Sequence, residues 1–179
     1  MDLALAGGKR QDVTWRHAGS ADHVADQGDP RRHPSPHLAS SRRVGVTGVV
    51  TLGQFHRVLQ IAMGWEDDHL HAFWIGTKRY GPGYDDLVEV DETTVTLAQA
   101  FAEEKRGLYQ YDFGDCWEHR LLVEKPDVPE GVAGVASCTA GKRACPPEDC
   151  GGIWGYYNLL ELADPSHDRW RYRVSRQRR

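Results

Sequence analysis

The chain has 179 residues, of which 40% are hydrophobic and 27% charged, with a formal net charge of −4. This length suits a single domain with its own core, and no apolar run approaches the roughly 20 residues that span a bilayer. The start of the chain lacks the basic and apolar segments of a secretory signal, so the sequence predicts a cytoplasmic protein.

The first part of the chain, residues 1–43, shows neither helical nor strand periodicity. It is rich in residues that favour turns and disorder, and we interpret it as a disordered or atypical N-terminal extension. The pattern changes at Val44, where a short apolar run predicts a strand. We therefore expect a domain at residues 44–167, followed by a basic tail at residues 168–179.

Two segments carry the pattern of a capped helix. Thr51 and Gln54 have the spacing of a capping box, and apolar residues follow at helical spacing until Gly64. Thr96 and Gln99 repeat the same start and predict a second, short helix. The apolar run between these segments, at residues 69–75, predicts a strand.

Residues 107–125 predict a β-hairpin around a Gly-Asp-Cys loop. A three-residue loop pairs Tyr111 with His119 on an aromatic face and Asp112 with Glu118 on the other face. Residues 153–164 then predict a third helix. Strands and helices that are mixed along the chain indicate an α+β fold, with a mixed, mainly antiparallel sheet and three helices packed against it.

Three cysteines are concentrated immediately before the third predicted helix. Cys138, Cys145 and Cys150 have irregular spacing, and a closed zinc site built from three thiolates needs a fourth ligand, for which Cys116, His71 and His119 are the candidates. Two alternatives remain open: the loop braces the third helix without a metal, or two of the thiols form a disulfide.

Acidic side chains in the hairpin loop and in the cysteine-rich loop predict an interaction surface. Its candidate residues are Asp112, Asp115, Glu118, Glu148 and Asp149. No catalytic residue is identified, because Cys116 and His119 are three positions apart on a strand and therefore point to opposite faces.

Charge separates the centre of the chain from its end. Residues 46–164 contain 9 basic and 20 acidic residues, whereas residues 165–179 contain six arginines and one aspartate. An acidic surface repels a phosphate backbone. The core is therefore predicted not to bind nucleic acid, and the arginine-rich tail is the segment expected to contact it.

Three blocks of sequence resemble the plasmid pRiA4b Orf-3-like family. They span residues 55–76, 109–125 and 138–167, and the most specific motifs are Asp-Phe-Gly-Asp-x-Trp-Glu-His and Ala-Cys-Pro-Pro-Glu-Asp-Cys-Gly-Gly. The resemblance implies a compact α+β domain that is often carried by bacterial plasmids and insertion sequences. It brings no established activity with it.

The function predicted from these observations is that of a binding or accessory module of a mobile element, with a protein of that element as the expected partner. It would act through the face formed by the hairpin loop and the cysteine-rich loop. The first alternative is a zinc-binding domain or a metal-dependent enzyme that uses the cysteines. The second is a DNA-associated factor that acts through the arginine-rich tail.

Overall fold

The computed structural model describes residues 10–17, 40–83, 88–124 and 136–163. These residues form three helices and one eight-stranded sheet. The helices are α1 (Leu52–Met63), α2 (Leu97–Ala100) and α3 (Gly152–Ala163). The strands are β1 (Arg10–His17), β2 (Ser41–Thr47), β3 (His71–Ile75), β4 (Lys78–Gly81), β5 (Val90–Asp91), β6 (Arg106–Tyr111), β7 (Trp117–Glu124) and β8 (Ala136–Lys142).

The sheet has the order β5-β4-β3-β6-β7-β1-β2-β8. Each neighbouring pair is antiparallel except β4 with β5, which is parallel. The predicted α+β class, with a mixed and mainly antiparallel sheet, is therefore confirmed. Within the described residues, no helix is both long enough and apolar enough to cross a membrane.

Helix α1 begins and ends where the sequence predicts. The Thr51 side chain accepts a hydrogen bond from the Gln54 N–H, and the Gln54 side chain accepts one from the Thr51 N–H, which completes the capping box. The helix ends at Gly64, whose φ of 76° lies in the left-handed region. Its buried side includes His56 and Gln60 as well as apolar residues, so two polar groups of α1 enter the core.

The predicted hairpin is present as β6 and β7, but its register differs from the expectation by two residues. Tyr111 pairs with Trp117 instead of His119, and the connection has five residues instead of three. The reason is Asp112, which adopts φ 53° and is buried in the turn. Its Oδ1 accepts hydrogen bonds from two N–H groups of the loop, and it therefore does not face Glu118.

Strand β1 lies inside the segment predicted to be an N-terminal extension. It pairs with β7 on one side and with β2 on the other, and Val13 is fully buried. The sequence signal is weak because the strand carries only two apolar residues, Val13 and Trp15, among polar ones. Residues 1–9 and 18–39 of the predicted extension, and the predicted tail at 168–179, lie outside the described residues.

Helix α3 starts against the hairpin loop. Gly152 has φ 64°, and a Cβ atom at this position would come within 2.6 Å of the Asp115 carbonyl oxygen, so the site requires glycine. Gly152 and Tyr156 are the buried residues of the helix. Trp154 and Leu160, two large apolar residues of the helix, are exposed. Within the described residues, α3 therefore packs through a narrow face.

Candidate metal-binding pocket

An open pocket of about 580 Å³ lies between α1, the segment before β3 and the residues that follow β5. Its charged and titratable lining residues are His56, Arg57, Asp67, Asp68, His69, His71, Asp91 and Glu92. The lining contains four carboxylates and one guanidinium, and this excess of negative charge attracts cations.

Two histidines form the floor of the pocket. The rings of His56 and His71 stack with centroids 3.4 Å apart and planes 4° from parallel, and both residues are buried. Burial, followed by the nearby His71, lowers the pKa of His56. A lowered pKa favours the neutral imidazole, which is the form that binds a metal ion.

One nitrogen of His56 is held by a buried chain of hydrogen bonds. Gln60 Nε2 donates to the Tyr109 hydroxyl oxygen at 2.9 Å, and this hydroxyl lies 2.8 Å from His56 Nδ1. Because the hydroxyl accepts from Gln60, its single proton is directed to His56 Nδ1. In this arrangement the His56 proton is on Nε2, facing Asp67.

The same three side chains would also permit hydrogen bonds that run in the reverse direction. The Gln60 Oε1 atom is buried and has no hydrogen-bond partner among the described residues. If the amide turns over, Oε1 accepts the Tyr109 hydroxyl proton and the Tyr109 oxygen accepts from His56 Nδ1. His56 Nε2 then presents a lone pair to the pocket. This series of hydrogen bonds is therefore compatible with both tautomers of His56.

Asp67 provides a carboxylate at the rim of the pocket. Its Oδ1 lies 2.6 Å from His56 Nε2, and its side chain is 46% exposed. The residue has φ 65°, in the left-handed region that aspartate enters more readily than most residues do. Asp67 thus links the buried imidazole to solvent.

His71 is held by a buried carboxylate. Its Nε2 lies 2.8 Å from Glu92 Oε2, and both side chains are less than 10% exposed. Glu92 packs closely against Gly53, where an added Cβ atom would lie only 3.1 Å from the Glu92 Oε1. One nitrogen of each stacked histidine is therefore fixed by a buried partner, which is the usual arrangement around histidine ligands of metals.

Among the described residues, two groups of three side chains have ligand atoms that all lie within 4.8 Å of one another. The first consists of His56, Asp67 and His71 in the pocket. The second consists of His69, Asp112 and Asp149. Neither group contains a cysteine.

Among the described residues, those predicted to form a zinc site do not converge as one group of ligand atoms. Cys138 is exposed on β8, whereas Cys145 and Cys150 are half-buried against the core. Burial raises the pKa of the Cys145 and Cys150 thiols, which disfavours the thiolate that binds zinc. Of the predicted fourth ligands, His71 lies in the pocket and His119 packs in the aromatic core. A cysteine zinc site remains a prediction.

The five acidic residues predicted to form an interaction surface differ in exposure. Asp112 is buried, Asp115, Glu118 and Glu148 are half-buried, and Asp149 is exposed. Asp115 accepts a hydrogen bond from a backbone N–H just before α3, and Glu148 accepts one from a tyrosine hydroxyl of β6. Two of the half-buried carboxylates thus brace the two loops, and their role toward a partner stays a prediction.

The sequence indicates His71 as a possible ligand, with Asp67 in the acidic stretch before it, but it does not single out His56. A signal for His56 existed, since His56 and Gln60 are polar residues four apart beside the apolar stripe of α1. Asp67 belongs to an acidic stretch directly before His69. The contact between His56 and Tyr109 joins residues far apart in sequence, and no local pattern reveals it. The arginine-rich tail lies outside the described residues, so its predicted contact with DNA stays a prediction.

Comparisons with known proteins agree on the family. A model described as plasmid pRiA4b ORF-3-like protein matches residues 36–175, which extends past both limits of the domain predicted at 44–167. The chain is 39% identical over 133 residues to the uncharacterized protein y4hQ of Sinorhizobium fredii, a match that covers 72% of this chain and 68% of that protein.

A solved structure is also similar. It is that of protein of unknown function MM3350 from Methanosarcina mazei Go1, with a TM-score of 0.70 and 32% sequence identity. The match covers 92% of this chain and 87% of that chain. With sequence motifs, family model and fold in agreement, the chain belongs to the plasmid pRiA4b ORF-3-like family.

Proposed function

We propose that this protein is a binding or accessory module and that its pocket binds a divalent transition-metal ion. The observation that carries the proposal is the convergence of His56, Asp67 and His71, whose ligand atoms lie within 4.8 Å of one another. Imidazole nitrogen suits zinc, copper, iron and nickel, and a carboxylate is a common third ligand. Because the pocket is open, a further coordination position is accessible to water or to a small ligand.

The stacking of the two imidazole rings limits how both of them can bind one metal ion. The lone pairs of an imidazole lie in the ring plane, and the two planes here are nearly parallel with centroids 3.4 Å apart. An ion in the plane of one ring therefore lies outside the plane of the other. We infer that binding turns one of the two rings out of the stack, while Tyr109 or Glu92 continues to hold the opposite nitrogen.

The test compares two neighbouring aspartates. We expect Asp67→Asn to weaken Zn²⁺ binding at the pocket by at least about tenfold, because the change removes a ligand charge next to His56. Asp68→Asn is the matched control, since Asp68 is exposed and lines the pocket but belongs to neither group of ligand atoms. Titration calorimetry of the full chain measures both affinities.

Equal loss of Zn²⁺ affinity in the two aspartate variants would mean that the overall negative charge of the pocket attracts the ion, without a defined set of ligands. Unchanged binding in Asp67→Asn would place the ion elsewhere. In both cases the proposed pocket site would be wrong.

A further inference from the structure

A second group of ligand atoms joins three segments that are distant in sequence. His69 precedes β3, Asp112 opens the hairpin turn, and Asp149 lies in the cysteine-rich loop before α3. His69 Nε2 is 2.9 Å from Asp149 Oδ1 and 3.9 Å from Asp112 Oδ2. Two ligand atoms that both bind one metal ion, each at about 2.1 Å from it, have separations of this size.

The imidazole nitrogen in this group has carboxylates nearby but makes no hydrogen bond. His69 Nε2 is buried at the atomic level and has no hydrogen-bond partner among the described residues. Asp149 Oδ1 is close enough to His69 Nε2 for a hydrogen bond, so the angle of this contact, and not its length, prevents one. A buried polar atom that makes no hydrogen bond carries a free-energy cost, which coordination to a bound cation would reduce.

Asp112 approaches the same imidazole from the hairpin turn. Its side chain is only 10% exposed, and its Oδ1 is occupied by two N–H groups of the turn. This leaves Oδ2 directed at His69. Two carboxylates that converge on one imidazole repel each other unless positive charge lies between them.

We propose that His69, Asp112 and Asp149 form a second divalent-metal site, which fixes the cysteine-rich loop to the hairpin turn. The bound ion would hold Asp149, two residues before Gly151, and with it the start of α3. His69 also lines the pocket, but this group shares no ligand with the group of His56, Asp67 and His71, so each of the two sites can fail without the other.

The test counts bound Zn²⁺ ions on the full chain by calorimetry and equilibrium dialysis. We expect two ions for the parent protein, one for Asp67→Asn and one for Asp149→Asn. Glu118→Gln is the control and should bind two, because Glu118 lies on β7 near the hairpin loop but in neither group. Asp149 is 76% exposed, so its substitution should not prevent folding.

Thermal unfolding gives a second readout. Ligand binding to the folded state raises the melting temperature, and the rise caused by Zn²⁺ should be smaller in Asp149→Asn than in the parent. One ion in the parent, lost in Asp67→Asn and kept in Asp149→Asn, overturns the second site alone. One ion that is lost only in Asp149→Asn supports the second site and overturns the pocket. An absence of binding to the parent overturns both.

Discussion

Replacing Trp65 with alanine lowers the free energy of unfolding by about 3 to 5 kcal/mol. The Trp65 side chain is 6% exposed and its ring stacks on Tyr111 with centroids 4.9 Å apart. Its Nε1 donates a hydrogen bond of 2.9 Å to the Pro146 carbonyl oxygen, which ties the cysteine-rich loop to the core. Truncation therefore opens a large cavity and releases this loop. Chemical denaturation measures the change.

Trp154→Ala provides the matched control for this prediction. Trp154 lies on α3 and is 44% exposed, so we expect its truncation to cost about 1 kcal/mol or less. If the two alanine variants unfold at the same denaturant concentration, Trp65 does not have the central packing role assigned to it.

Tyr109→Phe should weaken Zn²⁺ binding at the pocket by about 10- to 100-fold, the usual effect of losing an outer partner of a histidine ligand. The Tyr109 hydroxyl is the link between Gln60 and His56 Nδ1. Without it, the N–H of a metal-bound His56 is buried and unpaired, and the Nε2 lone pair is no longer directed at the ion. Calorimetry on folded protein measures the affinity.

Tyr80→Phe makes the same chemical change at another buried tyrosine. Tyr80 is 6% exposed and takes no part in the chain from Gln60 to His56. We expect this variant to bind Zn²⁺ as the parent does. Parent-like affinity in Tyr109→Phe would show that the hydroxyl does not orient His56, whatever happens to stability.

The parts of the fold that the sequence predicts correctly are those fixed by local interactions. Thr51, Gln54 and Gly64 define α1 because a capping box and a left-handed end act within one turn of the helix. The hairpin is also local, but its register depends on the turn formed by Asp112, and side-chain alternation does not distinguish registers that differ by two residues. Strand β1 depends on neighbours on both sides, so its own sequence indicates it only weakly.

The candidate pocket was predictable only in part. The sequence indicates His71 as a possible ligand together with the cysteines, none of which lines the pocket. The groups that complete the pocket come from α1, from the segment before β3 and from the residues after β5, which the sheet brings together. Their convergence is a property of the tertiary structure, which no local sequence pattern reveals.

The absorption spectrum of the Co²⁺-loaded full chain tests most directly whether the metal site is the pocket. Cobalt bound by imidazole and carboxylate gives visible d–d bands, whereas thiolate ligands add an intense charge-transfer band in the near ultraviolet. We expect d–d bands without the thiolate band, and an unchanged spectrum when Cys138, Cys145 and Cys150 are all replaced by serine. An intense thiolate band that disappears in the serine variant would contradict the account and restore the cysteine site.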